Sequence, residues 1–547
     1  MVMTGCCCME TEYFSNNTYF NLKVNEACNF LYKEYGYTND PNIFSVPVML
    51  EDSIVRLSWV SPNKTPFLIL FIVRNGLIDV HNIDKYLDIN DRFCTYFVVL
   101  KDNSWSFYRR NIRMNDYESC RELPIYKCSK SAQSDLPRVL ADDFENFFFD
   151  AHSIIRDFDG LHPDEALDEL CKLIYCKLYD EDSRISSRIN YFDPSQYGNA
   201  EEYAASLRKL YDDANKYDQR VYSLRIPGYK RSRGVFDEPI KLSSLSVTKV
   251  SELFSKVSFT NSDIDIKARA FQNVYKPAAR SGMGQYFTPI NVIKFIVKAI
   301  NPLSDELLID PFCGSAHFLT ESIKNVQSSG GSQNRQLDFI FHKLHGIEKS
   351  ERMVRIAMTD MRLHGDGHSN IRCTDALLPF GSYYDIEPNS FDIVMTNPPF
   401  GSTLTGDSFK YLGEFSLNKG RKRVPLEVVG LERCIQLLRE GGRMAIVLPE
   451  SIFANKSYEH VREWLKSTVK IRAIISLPIE TFAPYGTNIK TSILFCTKSS
   501  IRNASDYKIF VGSIDNIGYD ASGRDRKGSD WETLLGDFTK FLGLEGW

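Results

Sequence analysis

From Thr288 onward, short β-rich apolar runs alternate with segments that carry apolar residues at helical spacing. This rhythm constrains the fold more than any other feature of the chain. Strands are predicted at 307–309, 344–347, 391–395, 444–448, 471–477 and 491–495. Between them fall helices at 289–300, 316–326, 351–363, 425–439 and 458–467. Thr288 is placed to cap the first helix, and Gly441-Gly442 to end the fourth. Strand–helix–strand repeats of this length build an α/β, Rossmann-like, doubly wound and mostly parallel sheet with helices on both faces. In such sheets ligands lie beyond the carboxyl ends of the strands.

The 547 residues exceed one ordinary domain, so about three are expected. Residues 1–130 read as a small α/β domain, with strands at 67–73 and 95–100 and a third at 105–108 paired across the polar 101–104. Residues 131–275 read as a helical domain, with helices at 164–179, 202–215 and 247–257. The sheet domain spans 276–515, and 516–547 reads as a C-terminal tail.

The strand ends of the sheet domain carry four signals in order. Asp310-Pro311-Phe312-Cys313-Gly314-Ser315 joins a strand to a helix; Gly314 lets backbone approach a ligand, and Asp310 suits the ligand's cationic end. Glu348 ends the next strand, where a carboxylate accepts both hydroxyls of a ribose. Asp375 follows 371–374 and suits an adenine amine. Asn397-Pro398-Pro399-Phe400 follows the strand ending at Met395. Each alone has a plainer explanation, as a helix cap, an Asx turn or a rigid turn.

The fourth signal fits methylation of an aromatic amine. Such an amine is a poor nucleophile because its lone pair is delocalised into the ring. Two acceptors, the Asn397 side-chain carbonyl and the Pro398 backbone carbonyl, would pull the nitrogen toward tetrahedral geometry. Pro398-Pro399 limits their drift, and Phe400 would stack on a base flipped out of its duplex. A sulfonium donor leaves mostly positioning and electrostatics to the protein.

With these residues in hand, the chain resembles the modification (methyltransferase) subunit of type I restriction-modification systems, in the gamma class of amino-methyltransferases. That class places its donor-tail segment first, and here Gly284-Gln285-Tyr286-Phe287-Thr288-Pro289 precedes Asp310-Pro311-Phe312-Cys313-Gly314. Glu427, 439–443, 448–450 and 487–492 match later family segments, and 167–182 looks like the family's N-terminal helical domain. The resemblance covers about residues 135 to 520. It implies a methyltransferase sheet that binds S-adenosyl-L-methionine. Gln285, Tyr286, Phe287, Thr288, Pro289, Asp310, Gly314 and Ser315 would line the donor site, with Glu348 on the ribose and Asp375 near the donor's adenine. Ala316 and His317 stand where the family has glycines. Residues 20 to 110 faintly resemble the nuclease-like domain of restriction subunits, but 71–75 lacks the metal-binding carboxylate, so no nuclease activity is expected.

No region large enough to read a DNA sequence is left over. The resemblance therefore implies double-stranded DNA as substrate, a separate specificity subunit, and a restriction (nuclease/translocase) subunit as a further partner. Net charge is −4, so cations that meet DNA must be local. Two clusters exist, 230–233 and 419–423, and such clusters are more often solvated loops than DNA contacts. The thirteen cysteines are scattered without paired CxxC motifs and read as reduced thiols. His342/His345 and His364/His368 lack further ligands at recognisable spacing, so no metal is expected. Neither a signal peptide nor a membrane span is expected, which points to the cytosol. The alternatives are a donor-binding scaffold of a defence complex that methylates little, and a methyltransferase acting on RNA or on protein amide nitrogen.

Overall fold

The computed structural model describes residues 17–35, 44–51, 53–60, 66–74, 96–101, 104–111, 116–120, 141–183, 191–225, 236–257, 259, 271, 274, 287–330, 332–365, 370–383, 385–405, 412–499 and 507–547. Two compact units emerge: 1–138 with 179–190 and 256–260, and 139–178 with 191–255 and 261–547.

The first unit holds helix α1 (Thr18–Tyr35) and strands β1 (Phe44–Glu51), β2 (Ile54–Val60), β3 (Pro66–Val73), β4 (Tyr96–Lys101), β5 (Ser104–Asn111) and β6 (Asp116–Cys120). They form one sheet in chain order, antiparallel except where β3 runs parallel to β4. Phe20, Val24, Ala27, Cys28 and Leu31 recur at helical spacing and bury α1 against Leu57, Trp59, Leu68 and Leu70. Ile54, Ile69, Phe71 and Phe97 form a separate cluster. Strand β3 therefore contributes alternate residues to two cores, which explains its unbroken apolar run.

The second unit contains the helices α2 (Ala141–Asp159), α3 (Pro163–Ser183, as far as Leu178), α4 (Ala200–Arg225) and α5 (Ser244–Phe254) together with the large sheet. Its strands are β7 (Leu308–Asp310), β8 (Leu344–Glu348), β9 (Ile371–Cys373), β10 (Phe391–Thr396), β13 (Leu438–Pro449), β14 (Val469–Ser476), β15 (Thr491–Lys498) and β16 (Phe510–Ser513), while β11 (Thr403–Thr405) and β12 (Arg423–Pro425) form a separate ribbon. The order across the sheet is β16-β14-β15-β13-β10-β7-β8-β9. Only β15 runs antiparallel to its neighbours; the other pairings are parallel. The chain winds outward through β7, β8 and β9, then returns to the other side of β7 as β10. The crevice between the carboxyl ends of β7 and β10 is the topological switch point. Helices α6 (Ile290–Ile300), α7 (His317–Ser328), α9 (Glu351–Leu363), α10 (Leu426–Leu437) and α12 (Glu459–Thr468) lie among these strands in sequence; α8 (Gln333–Asp338) and α11 (Ser451–Ala454) are short.

Three details differ from the expectation. Helix α10 ends at Leu437, and Arg439–Gly442 belongs to β13. Gly441 (φ 73°) sits at an irregularity in the β10–β13 pairing instead of capping a helix. A Cβ on Gly442 would stand 2.9–3.1 Å from the carbonyl oxygens of Arg439, Phe391 and Asp392, so only glycine fits. Thr288 does not cap α6, whose cap is Pro289 without a side-chain bond. The stretch expected as a tail holds helix α13 (Trp531–Glu545), with Phe538 buried and its ring centroid 4.9 Å from Phe495.

The helical layer is tied to the sheet layer inside this unit. Arg355 of α9 donates to both oxygens of Asp168 on α3, Nε at 2.6 Å and Nη2 at 2.9 Å, with both residues buried. A bidentate fork of this kind is the strong form of a guanidinium–carboxylate pair. Arg352 and Asp164 pair one turn earlier.

Candidate active site at the switch point

Asp310 closes β7 with 1% exposure. It accepts a 2.6 Å hydrogen bond from the Thr396 hydroxyl, at the end of β10, and a 3.1 Å bond from the Phe312 N–H. Burial pushes its carboxyl up to about 7, against the pull of these two donors. The two strands flanking the switch point are thus bonded through their last side chains. Thr396 carried no signal in the sequence beyond its place at a strand end.

Beyond Asp310 the chain turns sharply. Gly314 (φ 51°) and Ala316 (φ 64°) both take left-handed conformations. For Ala316 this costs about 1–2 kcal/mol relative to the right-handed region. The backbone at 316 is therefore glycine-like although the residue is not. The Gly314 N–H donates to Glu348 Oε2 at 3.1 Å, and the Ser350 N–H to Glu348 Oε1 at 2.7 Å. Burial raises Glu348 above the usual carboxylate range. Glu348 thus joins the β7 turn to the start of α9.

A small recess opens over this turn, lined by Thr288, Ile293, Asp310, Phe312, Cys313, Ser315, His317, Phe318 and Asn397. Four expected residues, Thr288, Asp310, Ser315 and Asn397, meet there. Phe287 is buried beside it, its ring centroid 6.3 Å from that of His317. Pro289 caps α6. Gln285 and Tyr286 lie outside the described residues. Asp375 does not line the recess. Its Oδ2 pairs with Lys349 Nζ at 2.9 Å and its Oδ1 accepts the Leu377 N–H at 3.0 Å. His317 bonds Ser315 through Nδ1 at 3.2 Å, and burial lowers its pKa to about 4, so it lines the recess as a neutral ring.

Asn397 carries the sharpest feature. Its Nδ2 donates to Thr288 Oγ1 at 3.0 Å. Its Oδ1 is buried and finds no hydrogen-bond partner among the described residues. An orphaned buried amide oxygen costs about 1–3 kcal/mol. Pro398 is buried and Pro399 exposed. Phe400 is half-exposed and stands edge-to-face on the buried Phe482, centroids 6.2 Å apart at 87°.

Helix α10 holds the loop from behind. Glu427, in its first turn, takes the Gly401 N–H on its carboxylate, and burial raises its pKa. The Leu426 N–H donates to Ser402 O at 2.9 Å. Gly430 lies so close that an added Cβ would stand 3.2 Å from Pro398 Cβ and 3.3 Å from the Phe312 ring. Phe482 and Gly430 were not singled out from sequence, because their role exists only through contacts with a distant loop.

Among the described residues no group of three or more His, Cys, Asp or Glu is placed to hold a metal, and no helix is long and apolar enough to cross a membrane. His364 directs Nδ1 to the carbonyl of Asp360 at 2.9 Å, and the His345 ring packs on Phe391.

The family described as N-6 DNA methylase matches residues 270–529. The EcoEI type I restriction enzyme methylase subunit of Escherichia coli is 25% identical over 366 residues, 63% of this chain and 73% of that one. The EcoKI methylase subunit of Escherichia coli K12 is 30% identical over 240 residues, 42% of this chain and 43% of that one, so the match spans under half of that relative. Among solved structures, the type I restriction-modification methyltransferase subunit from Streptococcus thermophilus aligns with a TM-score of 0.53 at 17% identity, over 74% of this chain and 94% of that one. The family match covers α6, the whole switch point and the loop 397–400.

Proposed function

We propose that the chain is the modification subunit of a restriction-modification or related defence complex. It methylates N6 of adenine in double-stranded DNA and works with a separate specificity subunit and, for cleavage, a restriction subunit. The observation that carries this reading is the buried, unpartnered Asn397 Oδ1 beside the Asp310 recess. The similar proteins of Escherichia coli, type I methylase subunits, point the same way.

The residues present fit S-adenosyl-L-methionine. Asp310 is a desolvated carboxylate at the switch point whose ionised form gains from a nearby cation. Gly314 and Ser315 form the turn over which a ligand approaches, with Phe287, Thr288 and Pro289 on its far side. Gln285 and Tyr286 belong to the same segment. Glu348 and Asp375 are assigned to the ribose and the adenine of that molecule, each keeping free lone pairs beside the bonds it already accepts. When bound, the donor supplies a methyl group from a sulfonium.

The rest falls to the chain's own groups. Asn397 is oriented by Thr288, so Oδ1 accepts one amine hydrogen of a flipped-out adenine. The Pro398 carbonyl accepts the other. Together they localise the nitrogen lone pair. Phe400, braced by Phe482, stacks on the base. Pro398-Pro399 and α10 keep the acceptors from drifting. Incubating the chain and its specificity subunit with duplex DNA and radiolabelled donor tests the proposal. Label should enter adenine N6, and Asn397→Ala should abolish it while donor binding persists; label in RNA or protein alone would refute it.

A further inference from the structure

Resting on the reading that the substrate is DNA, we propose that residues 419–423 form the shelf on which the phosphate backbone beside the flipped adenine runs. Lys419, Arg421, Lys422 and Arg423 are all exposed, and none has an acidic partner among the described residues. This is notable in a chain with more acidic than basic residues, 70 against 66. Elsewhere on its surface many cations are paired, as Lys298 with Glu532 and Lys490 with Glu450 are.

The shelf is built into the fold. Buried Glu432 takes the Ser416 N–H at 2.6 Å, the Ser416 hydroxyl at 2.7 Å and the Leu417 N–H at 2.9 Å. Leu412, Phe415, Leu417 and Val424 are buried in the main core on either side of the cations. The Arg421 N–H closes a turn on Asn418 O at 3.1 Å, with Gly420 at φ 75°. The four cations therefore project from a fixed platform, and ordering them against a ligand sacrifices little backbone freedom.

The shelf is also coupled to the reacting loop. Strand β12 pairs with β11 through Thr405↔Arg423, Leu404↔Val424 and Thr403↔Pro425, and β11 begins three residues after Phe400. Arg423 therefore sits on a ribbon whose other strand leads directly out of the loop that holds Asn397. Arg421 and Arg462 add to burial in holding His460 below its ordinary value, against a backbone bond to Ser457. Planar guanidinium forks suit phosphate oxygens, and each neutralised phosphate releases a counterion.

The test is binding of the full-length chain to a fluorescent random-sequence DNA duplex across a salt series. Each lost phosphate contact lowers the slope of log affinity against log salt by about 0.9, so Arg421→Ala/Lys422→Ala should lower it by about 2. Donor binding and thermal midpoint should stay at wild-type values, and a control pair, Lys216→Ala/Lys540→Ala, should leave the slope unmoved. An unchanged slope in the shelf variant, an equal change in the control, or a change seen only with single-stranded RNA overturns the proposal. The reading of function is tested separately: a chain that methylates adenine in DNA with an unmoved slope keeps its function and loses the shelf. A chain whose slope falls but that makes no methyladenine keeps the shelf and loses the function.

Discussion

Replacing Thr396 by Val removes one hydroxyl and leaves the shape of the strand end intact. That hydroxyl donates to Asp310 at 2.6 Å inside a fully buried pair. A hydrogen bond to a charged group contributes about 1.5–3 kcal/mol. At about 1.4 kcal/mol per pH unit, its loss should raise the Asp310 carboxyl from about 7 to roughly 8–9. If the ionised form binds the donor, affinity scales with the ionised fraction. Near pH 7.5 that fraction is about three-quarters in the wild type and about one-tenth for a carboxyl at about 8.5, an approximately eightfold loss. Near pH 9.5 the two proteins should differ by less than about 1.5-fold. Titration calorimetry with S-adenosylmethionine across this range checks it. A loss that does not recover at high pH, or no loss near neutrality, would refute the assignment of Asp310 as the charged donor contact. The same carboxyl sets a stability trend. Its folded value lies above its ordinary 3.8, so its contribution is fully present below about pH 4 and is lost as pH rises through about 7. Donor binding should therefore raise the thermal midpoint more at high pH than at low.

Gly430→Ala gains about 1 kcal/mol of helix propensity but presses a methyl to within 3.2 Å of Pro398 Cβ. Turnover should fall about tenfold or more while donor affinity holds, because the shift lands on the reacting loop; steady-state kinetics beside calorimetry separate the two. Ala316→Gly releases the left-handed strain at φ 64° and should stabilise the protein by up to about 1 kcal/mol, measured by urea unfolding, once the greater freedom of the unfolded glycine is subtracted. Asp168→Ala leaves the buried Arg355 short of its bidentate partner and should cost about 3–5 kcal/mol on the same assay.

The parallel sheet was legible because its central strands carry short buried apolar runs, 393–395 in β10 and 444–448 in β13. The expected helix 351–363 coincides with α9 because Ser350 caps it, its side chain accepting the Met353 N–H. The end of α10 was misplaced because Gly441-Gly442 serves equally as a helix stop or as a strand irregularity, and only the close carbonyls of Phe391 and Asp392 decide between them. Helix α13 was legible after the fact, since Trp531, Leu534, Phe538 and Phe541 recur at helical spacing; its aromatic partner Phe495 lies far away in sequence. At the site, residue types at strand ends pointed to Asp310 and Asn397, which line one recess. The hydrogen bonds that complete them, from Thr396 and to Thr288, join segments 86 and 109 residues apart and leave no local trace.

The role proposed for Asn397 Oδ1 is to accept a hydrogen bond from the amine of a flipped adenine in DNA. Mass spectrometry of nucleosides from duplex DNA, incubated with donor, the specificity subunit and either wild-type chain or Asn397→Ala, tests it directly. The account predicts N6-methyladenine with the wild type, none with the variant, and equal donor binding by both. Equal N6-methyladenine from both proteins, or none from either alongside methylated RNA or protein amide, would contradict it.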